Sequence, residues 1–183
     1  KEGRVDAVKL EGGARVVPHV EALIDAGVAV CGHIGLTPQS YSALGGYRVQ
    51  GRTAEHAYKL VEEAKALEAA GCFAVVLEMV PAPVAAAITK ELSIPTIGIG
   101  AGVHTSGQVQ VFHDVLGLYD KVVPKFSKQF GKFEGPMVHA LSAYTQAVDQ
   151  KAFPHPIEHS FKMEIEEEGK FREALEKAAD ARM

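Results

Sequence analysis

No apolar run in this 183-residue sequence approaches the roughly 20 residues that a helix needs to span a bilayer, so no membrane partner is expected. Positive charge is not in excess either. Lys and Arg number 19 against 23 Asp and Glu, the formal net charge is -4, and the basic residues are scattered. That excludes the electrostatic footprint of a nucleic-acid binder and leaves a small molecule as the expected partner. Cysteine is scarce. Cys31 and Cys72 stand in apolar, strand-like runs without metal-ligand spacing, so they read as buried reduced thiols and favour an intracellular compartment. No signal peptide is visible in a sequence that opens on Lys1. What remains is a 47% hydrophobic chain long enough to bury the core of one soluble globular domain.

Short β-branched runs alternate with longer stretches of helical spacing, the signature of repeated β-α units, and four such units are counted. The first strand is expected over residues 5–10 and its helix over 16–25, where Val16, Val20, Leu23 and Ile24 share a face and Gly27 stops the helix. A second strand over 28–33 leads into a glycine-rich loop with Gly45, Gly46 and Gly51. A helix over 54–70 follows, with Leu60, Ala64, Leu67 and Ala70 on its buried stripe and Gly71 at its end. The third strand, 73–79, carries a run of apolar residues that reads as buried on both faces. A helix over 83–92 starts on Pro83, where a missing N–H costs least. A fourth strand over 94–99 and a helix over 107–116, capped by Thr105 or Ser106, complete the series.

Beyond residue 120 the pattern changes to a loop with Pro124, a helix over 136–151 and a segment, 153–161, holding Pro154 and Pro156. The tail, 162–183, is charged. Ile165, Phe171, Leu175 and Ala178 form an apolar stripe there, which fits a surface or partner-packing helix as well as a solvated terminus. Four β-α units fit half of a (β/α)8 barrel or a small doubly wound sheet, and periodicity alone does not choose between them.

Lys9 and Glu11 lie two residues apart, hence on one face at the carboxy end of the first strand, which in a barrel is where sites are built. A lysine can bind a carboxylate and a glutamate can ligate Mg2+ through oxygen, although an ordinary strand-end ion pair accounts for the same two residues. Glu78 ends an otherwise apolar strand, a setting that suits a proton acceptor, or it simply emerges into a solvated loop. His33 ends the second strand and can donate to a substrate oxygen or serve as a structural histidine. His155 and His159 have i, i+4 spacing, but Pro156 between them argues against a helical zinc pair. Gly98, Gly100 and Gly102 suggest a dinucleotide fingerprint, yet position 103 is Val where that motif requires Gly. A tight turn closely approached by a ligand or helix remains open for these glycines.

Taken in order, five segments resemble successive motifs of the ketopantoate hydroxymethyltransferase family. They are Val8-Lys9-Leu10-Glu11-Gly12-Gly13, Cys31-Gly32-His33-Ile34-Gly35-Leu36-Thr37-Pro38-Gln39-Ser40, Gly45-Gly46-Tyr47-Arg48-Val49-Gln50-Gly51-Arg52, Val76-Leu77-Glu78 and Ile97-Gly98-Ile99-Gly100-Ala101-Gly102. The likeness continues through His113-Asp114, Pro124-Lys125-Phe126 and Glu158-His159-Ser160-Phe161, and so covers residues 5–161. The resemblance implies a (β/α)8 TIM barrel, of which residues 1–161 are the carboxy-terminal portion and 162–183 a charged helical tail. It also implies Mg2+, which holds 3-methyl-2-oxobutanoate through its keto and carboxylate oxygens, and 5,10-methylenetetrahydrofolate as co-substrate. By the same resemblance Lys9 contacts the substrate, Glu11 serves the metal, His33 lies beside the substrate and Glu78 accepts the proton. The product implied is 2-dehydropantoate, on the way to pantothenate and coenzyme A. A homo-oligomer, a decamer in the family, is implied as well, with a cytoplasmic or, in a eukaryote, mitochondrial location.

Family members carry further β-α units ahead of the Lys9 strand, with two aspartates at the metal and a serine at the substrate carboxylate. No residues here match them, so the sequence reads as the carboxy-terminal part of a longer chain. Two other readings are a Mg2+-dependent barrel of the phosphoenolpyruvate mutase and isocitrate lyase type, against which the 45–52 match argues, and a noncatalytic barrel remnant.

Overall fold

The computed structural model describes residues 3–40, 46–118 and 123–180. Gly45 of the glycine-rich loop lies outside them. The chain divides into two compact units, 1–131 and 132–183.

The first unit is an open, wholly parallel sheet of five strands in sequence order: β1 (Ala7–Glu11), β2 (Ala29–Gly35), β3 (Ala74–Glu78), β4 (Thr96–Ile99) and β5 (Gly107–Gln108). Consecutive strands pair because each is followed by a connection that returns the chain to the same end of the sheet. Those connections are α1 (Val17–Asp25), α2 (Ala54–Ala69) and α3 (Ala82–Glu91), with a short α4 (Phe112–Leu116) after β5. The expected helical stripes are the ones buried. Val20, Leu60, Ala64 and Leu67 enter one core with Val30, Ile34, Val75, Leu77 and Ile88, and Val16, Leu23, Ile24 and Ala70 pack on its margin. Each fully buried Val, Leu or Ile contributes about 1.5–3 kcal/mol relative to exposure. Thr53 caps α2 by accepting the His56 amide at 3.3 Å, and the helix ends into Gly71 at φ +95.

Residues 107–116 depart from expectation. They form a strand and a short helix where one helix capped by Thr105 or Ser106 was expected. Both hydroxyls are engaged elsewhere: Thr105 Oγ1 donates to the Gly107 carbonyl at 2.9 Å, and Ser106 Oγ accepts the Thr96 amide at 3.2 Å. The backbone here bonds β4 instead, with Val109 N donating to Gly98 O at 3.0 Å. The second strand also runs two residues past His33, to Gly35. Cys72 is buried as expected, but Cys31 is only partly so.

The second unit holds α5 (Glu134–Asp149) and α6 (Ile165–Asp180). Between them a turn sets Phe153 against Tyr144 and His159, at ring separations of 5.7 and 5.0 Å, and His159 Nδ1 accepts the His155 amide. Over Ile165–Asp180 the charged tail is helical, with Lys170 and Arg172 paired to Glu166, Glu167 and Glu168. Its Ile165, Phe171 and Leu175 are exposed.

Candidate active site

Parallel register aligns the carboxy ends of β1, β2 and β3, setting Glu11 opposite His33 and Gly35 opposite Glu78. Lys9, Glu11, His33 and Glu78, read separately from the sequence, therefore meet in one cluster. The His33 ring is its centre and is only 1% exposed. On one side its Nδ1 lies 3.3 Å from Lys9 Nζ and 3.6 Å from Glu11 Oε1; on the other its Nε2 lies 3.2 Å from Glu78 Oε2. Lys9 Nζ is 3.7 Å from the same Glu11 oxygen.

The two carboxylates differ in setting. The Glu11 side chain is 8% exposed, and its Oε2 accepts the Gln39 amide at 3.1 Å from the 3-10 turn Pro38–Ser40. Arg15 ties that turn down by donating to Ser40 Oγ at 2.8 Å. Glu78, 15% exposed, faces His33 and lines a cavity. Its neighbour Met79 has φ +48, a backbone conformation that side-chain-bearing residues rarely adopt, and is held there by Met79 N to Ile99 O and Gln50 N to Met79 O, each 2.9 Å. Such overdetermined backbone immediately after a carboxylate fits a site in which that carboxylate must not move.

A family model described as ketopantoate hydroxymethyltransferase matches residues 1–156. The chain belongs to the ketopantoate hydroxymethyltransferase family. It is 54% identical over 180 residues to a 3-methyl-2-oxobutanoate hydroxymethyltransferase of Oleidesulfovibrio alaskensis, covering 98% of this chain and 62% of the relative. It is 55% identical over 180 residues to the mitochondrial 3-methyl-2-oxobutanoate hydroxymethyltransferase 2 of Oryza sativa subsp. japonica, covering 96% and 45%. The corresponding protein of Heliobacterium modesticaldum is 54% identical over 170 residues, covering 92% and 61%. The chain thus spans between 45% and 62% of the length of these curated relatives.

Within this family member the Glu78 cavity is partly open to solvent and has a volume of about 1300 Å³, between Met79 and Pro81 after β3, Ile99 at the end of β4 with Val103 beyond it, and Lys125 with Phe126 from the loop beyond α4. Its walls are largely apolar, as in most small-molecule sites. The glycines after β4 serve packing. A β-carbon at Gly100 would meet the Phe126 ring at 2.9 Å, and one at Gly102 would meet Ala82 at the start of α3. The close approach expected there is made by the chain's own side chains. Phe126 and Asp114, which accepts from Ser127 Oγ at 3.0 Å, were not singled out from the sequence as site residues. The ordered matches at His113-Asp114 and Pro124-Lys125-Phe126 carried the only signal for them.

Magnesium, implied by the family resemblance, requires several oxygen ligands in near-octahedral array. Among the described residues no group of three His, Cys, Asp or Glu side chains is placed to hold a metal ion. Glu11 is the nearest to a ligand, but one oxygen takes the Gln39 amide and the other faces Lys9 and His33. The described residues by themselves do not amount to a magnesium site. Among the described residues no helix is long and apolar enough to cross a membrane. Burial raises the thiol pKa of both cysteines, with Lys9 partly opposing the effect at Cys31 and Cys31 adding to it at Cys72.

Proposed function

We propose that these residues form part of the active site of a 3-methyl-2-oxobutanoate hydroxymethyltransferase, which moves a one-carbon unit from 5,10-methylenetetrahydrofolate to 3-methyl-2-oxobutanoate and yields 2-dehydropantoate. The observation that carries this reading is the Lys9–Glu11–His33–Glu78 cluster at the carboxy ends of three adjacent parallel strands, its last carboxylate opening on an apolar cavity. That placement suits a (β/α)8 barrel rim, to which residues 1–161 would contribute the carboxy-terminal portion, with 162–183 as a helical tail.

Glu78 takes the proton from C3 of the 2-oxo acid, and the carbon so activated bonds to the methylene carbon of the folate; both bonds from that carbon to folate nitrogens break, one water supplies the hydroxyl, and tetrahydrofolate leaves. Low solvent access strengthens the carboxylate's interaction with the substrate C–H as charge develops. Lys9 has three donors on its ammonium, so it can hold the substrate carboxylate while keeping its contact with His33. His33 backs the substrate from within the sheet. We assign Glu11 to a Mg2+ site, where it would help to hold the ion, and the ion would polarise the keto group and stabilise the developing enolate charge. A homo-oligomer, in the cytoplasm or a mitochondrion, is part of this reading; the mitochondrial relative of Oryza sativa supports the second location.

The test is deuterium exchange at C3 of 3-methyl-2-oxobutanoate without folate, using the longest natural chain that contains these 183 residues. Exchange well above the buffer rate, followed by 2-dehydropantoate formation once folate is added, is expected. No exchange above buffer overturns the proposal.

A further inference from the structure

We infer that His33 is a positioning residue for Glu78: Lys9 fixes the tautomer of its ring with the proton on Nε2, and that N–H holds one oxygen of the Glu78 carboxylate. The functional half of this inference rests on Glu78 being the base; the structural half does not.

An ammonium only donates, so Lys9 Nζ at 3.3 Å requires a lone pair on Nδ1. The competing acceptor for an Nδ1 proton is Glu11 Oε1, but at 3.6 Å it is beyond hydrogen-bond reach. A proton on Nδ1 would also confront the Lys9 cation. The neutral ring therefore carries its proton on Nε2. That atom is buried without an aligned hydrogen-bond partner, a costly state for a donor. Glu78 Oε2 is already 3.2 Å away. The terminal torsion of a glutamate is broad, so a small rotation of the carboxylate brings the oxygen into line. One oxygen then stays with His33 and the other serves the cavity that Glu78 lines. An unheld carboxylate would sample orientations unproductive for proton transfer.

The structural half is read by nitrogen-15 NMR of the histidine-labelled chain, with the His33 signals assigned by their loss in His33→Gln. The expected pattern is a bare Nδ1 and a protonated Nε2. Lys9→Met should shift the ring toward the Nδ1–H tautomer, and Glu78→Ala should move the Hε2 resonance without changing the tautomer. Lys9 is 49% exposed at its side chain, so its variant remains readable if His33 variants fail to fold. A protonated Nδ1 in the unaltered chain, indifference of the tautomer to Lys9→Met, or indifference of Hε2 to Glu78→Ala would each overturn the inference.

The functional half is read by C3 exchange in the longest natural chain. Glutamine can place an amide N–H near the position of Nε2, whereas asparagine reaches only that of Nδ1. His33→Asn should lower kcat by about 10- to 100-fold, the worth of a hydrogen bond to a charged group, with KM little changed, and His33→Gln should restore most of it. Equal loss in both variants, or a change in KM alone, overturns positioning. Wild-type exchange in Glu78→Gln would instead remove the base assignment and leave the tautomer result standing.

Discussion

Gly35 and Glu78 meet backbone to backbone at the ends of β2 and β3: the Leu36 amide donates to the Glu78 carbonyl at 2.8 Å, and a β-carbon on Gly35 would fall on that carbonyl oxygen. Gly35 has φ +90, which a side chain strains further. Gly35→Ala is therefore expected to destabilise the fold by at least about 1–3 kcal/mol, measured by urea unfolding. The same displacement would move Glu78. A loss of C3 exchange larger than the unfolded fraction explains is the expected companion, and an unaltered unfolding midpoint would refute the contact.

Glu78→Gln keeps the side chain's shape and removes its capacity to accept a proton. C3 exchange should fall by about 10²- to 10⁴-fold, the usual worth of a general base, while the affinity for 3-methyl-2-oxobutanoate changes little. Exchange at the unaltered rate would pass the role to another group.

Glu11→Ala should act differently, raising the Mg2+ concentration needed for half-maximal exchange and sparing the rate at saturation. The 183-residue chain by itself should bind Mg2+ weakly, since among its described residues no three-ligand group exists. Isothermal titration of the chain with Mg2+ checks this, and tight stoichiometric binding would contradict it.

The thiols give a pH-dependent expectation with a definite sign. Burial disfavours the thiolate of Cys31 and Cys72, so both titrate above the ordinary thiol range. Alkylation by iodoacetamide at neutral pH should be slow compared with a free thiol. Stability should hold below the ordinary thiol pKa of about 8.5 and fall as pH rises beyond it, because the unfolded chain ionises first. Replacing Cys72 with Ala should flatten that alkaline decline. A decline unchanged in the variant would show that Cys72 does not contribute to it.

Much of this protein was legible along the chain because period and punctuation are local properties. The stripe of Leu60, Ala64 and Leu67 and the glycines after helices needed only neighbours within a few turns to be read. Lys9, Glu11 and Glu78 stood out because each sits at the end of an apolar run, the one place on a parallel strand where a polar side chain needs no buried partner. Residues 107–116 were misread for the converse reason. A helix of that length and a strand held by β4 have comparable local propensity, and the Thr96–Ser106 and Val109–Gly98 bonds that decided between them are tertiary.

By itself the sequence determined the β-α order, the buried faces and the family. Those follow from periodicity and from ordered motifs that no folding is needed to see. Only the tertiary structure decided that His33 stands between Glu11 and Glu78, both distant from it along the chain, that Met79 takes a left-handed backbone, and that Phe126 closes over Gly100. The physical reason is that such relations depend on register across strands, and parallel register is set by connections tens of residues long, not by the residues that finally touch.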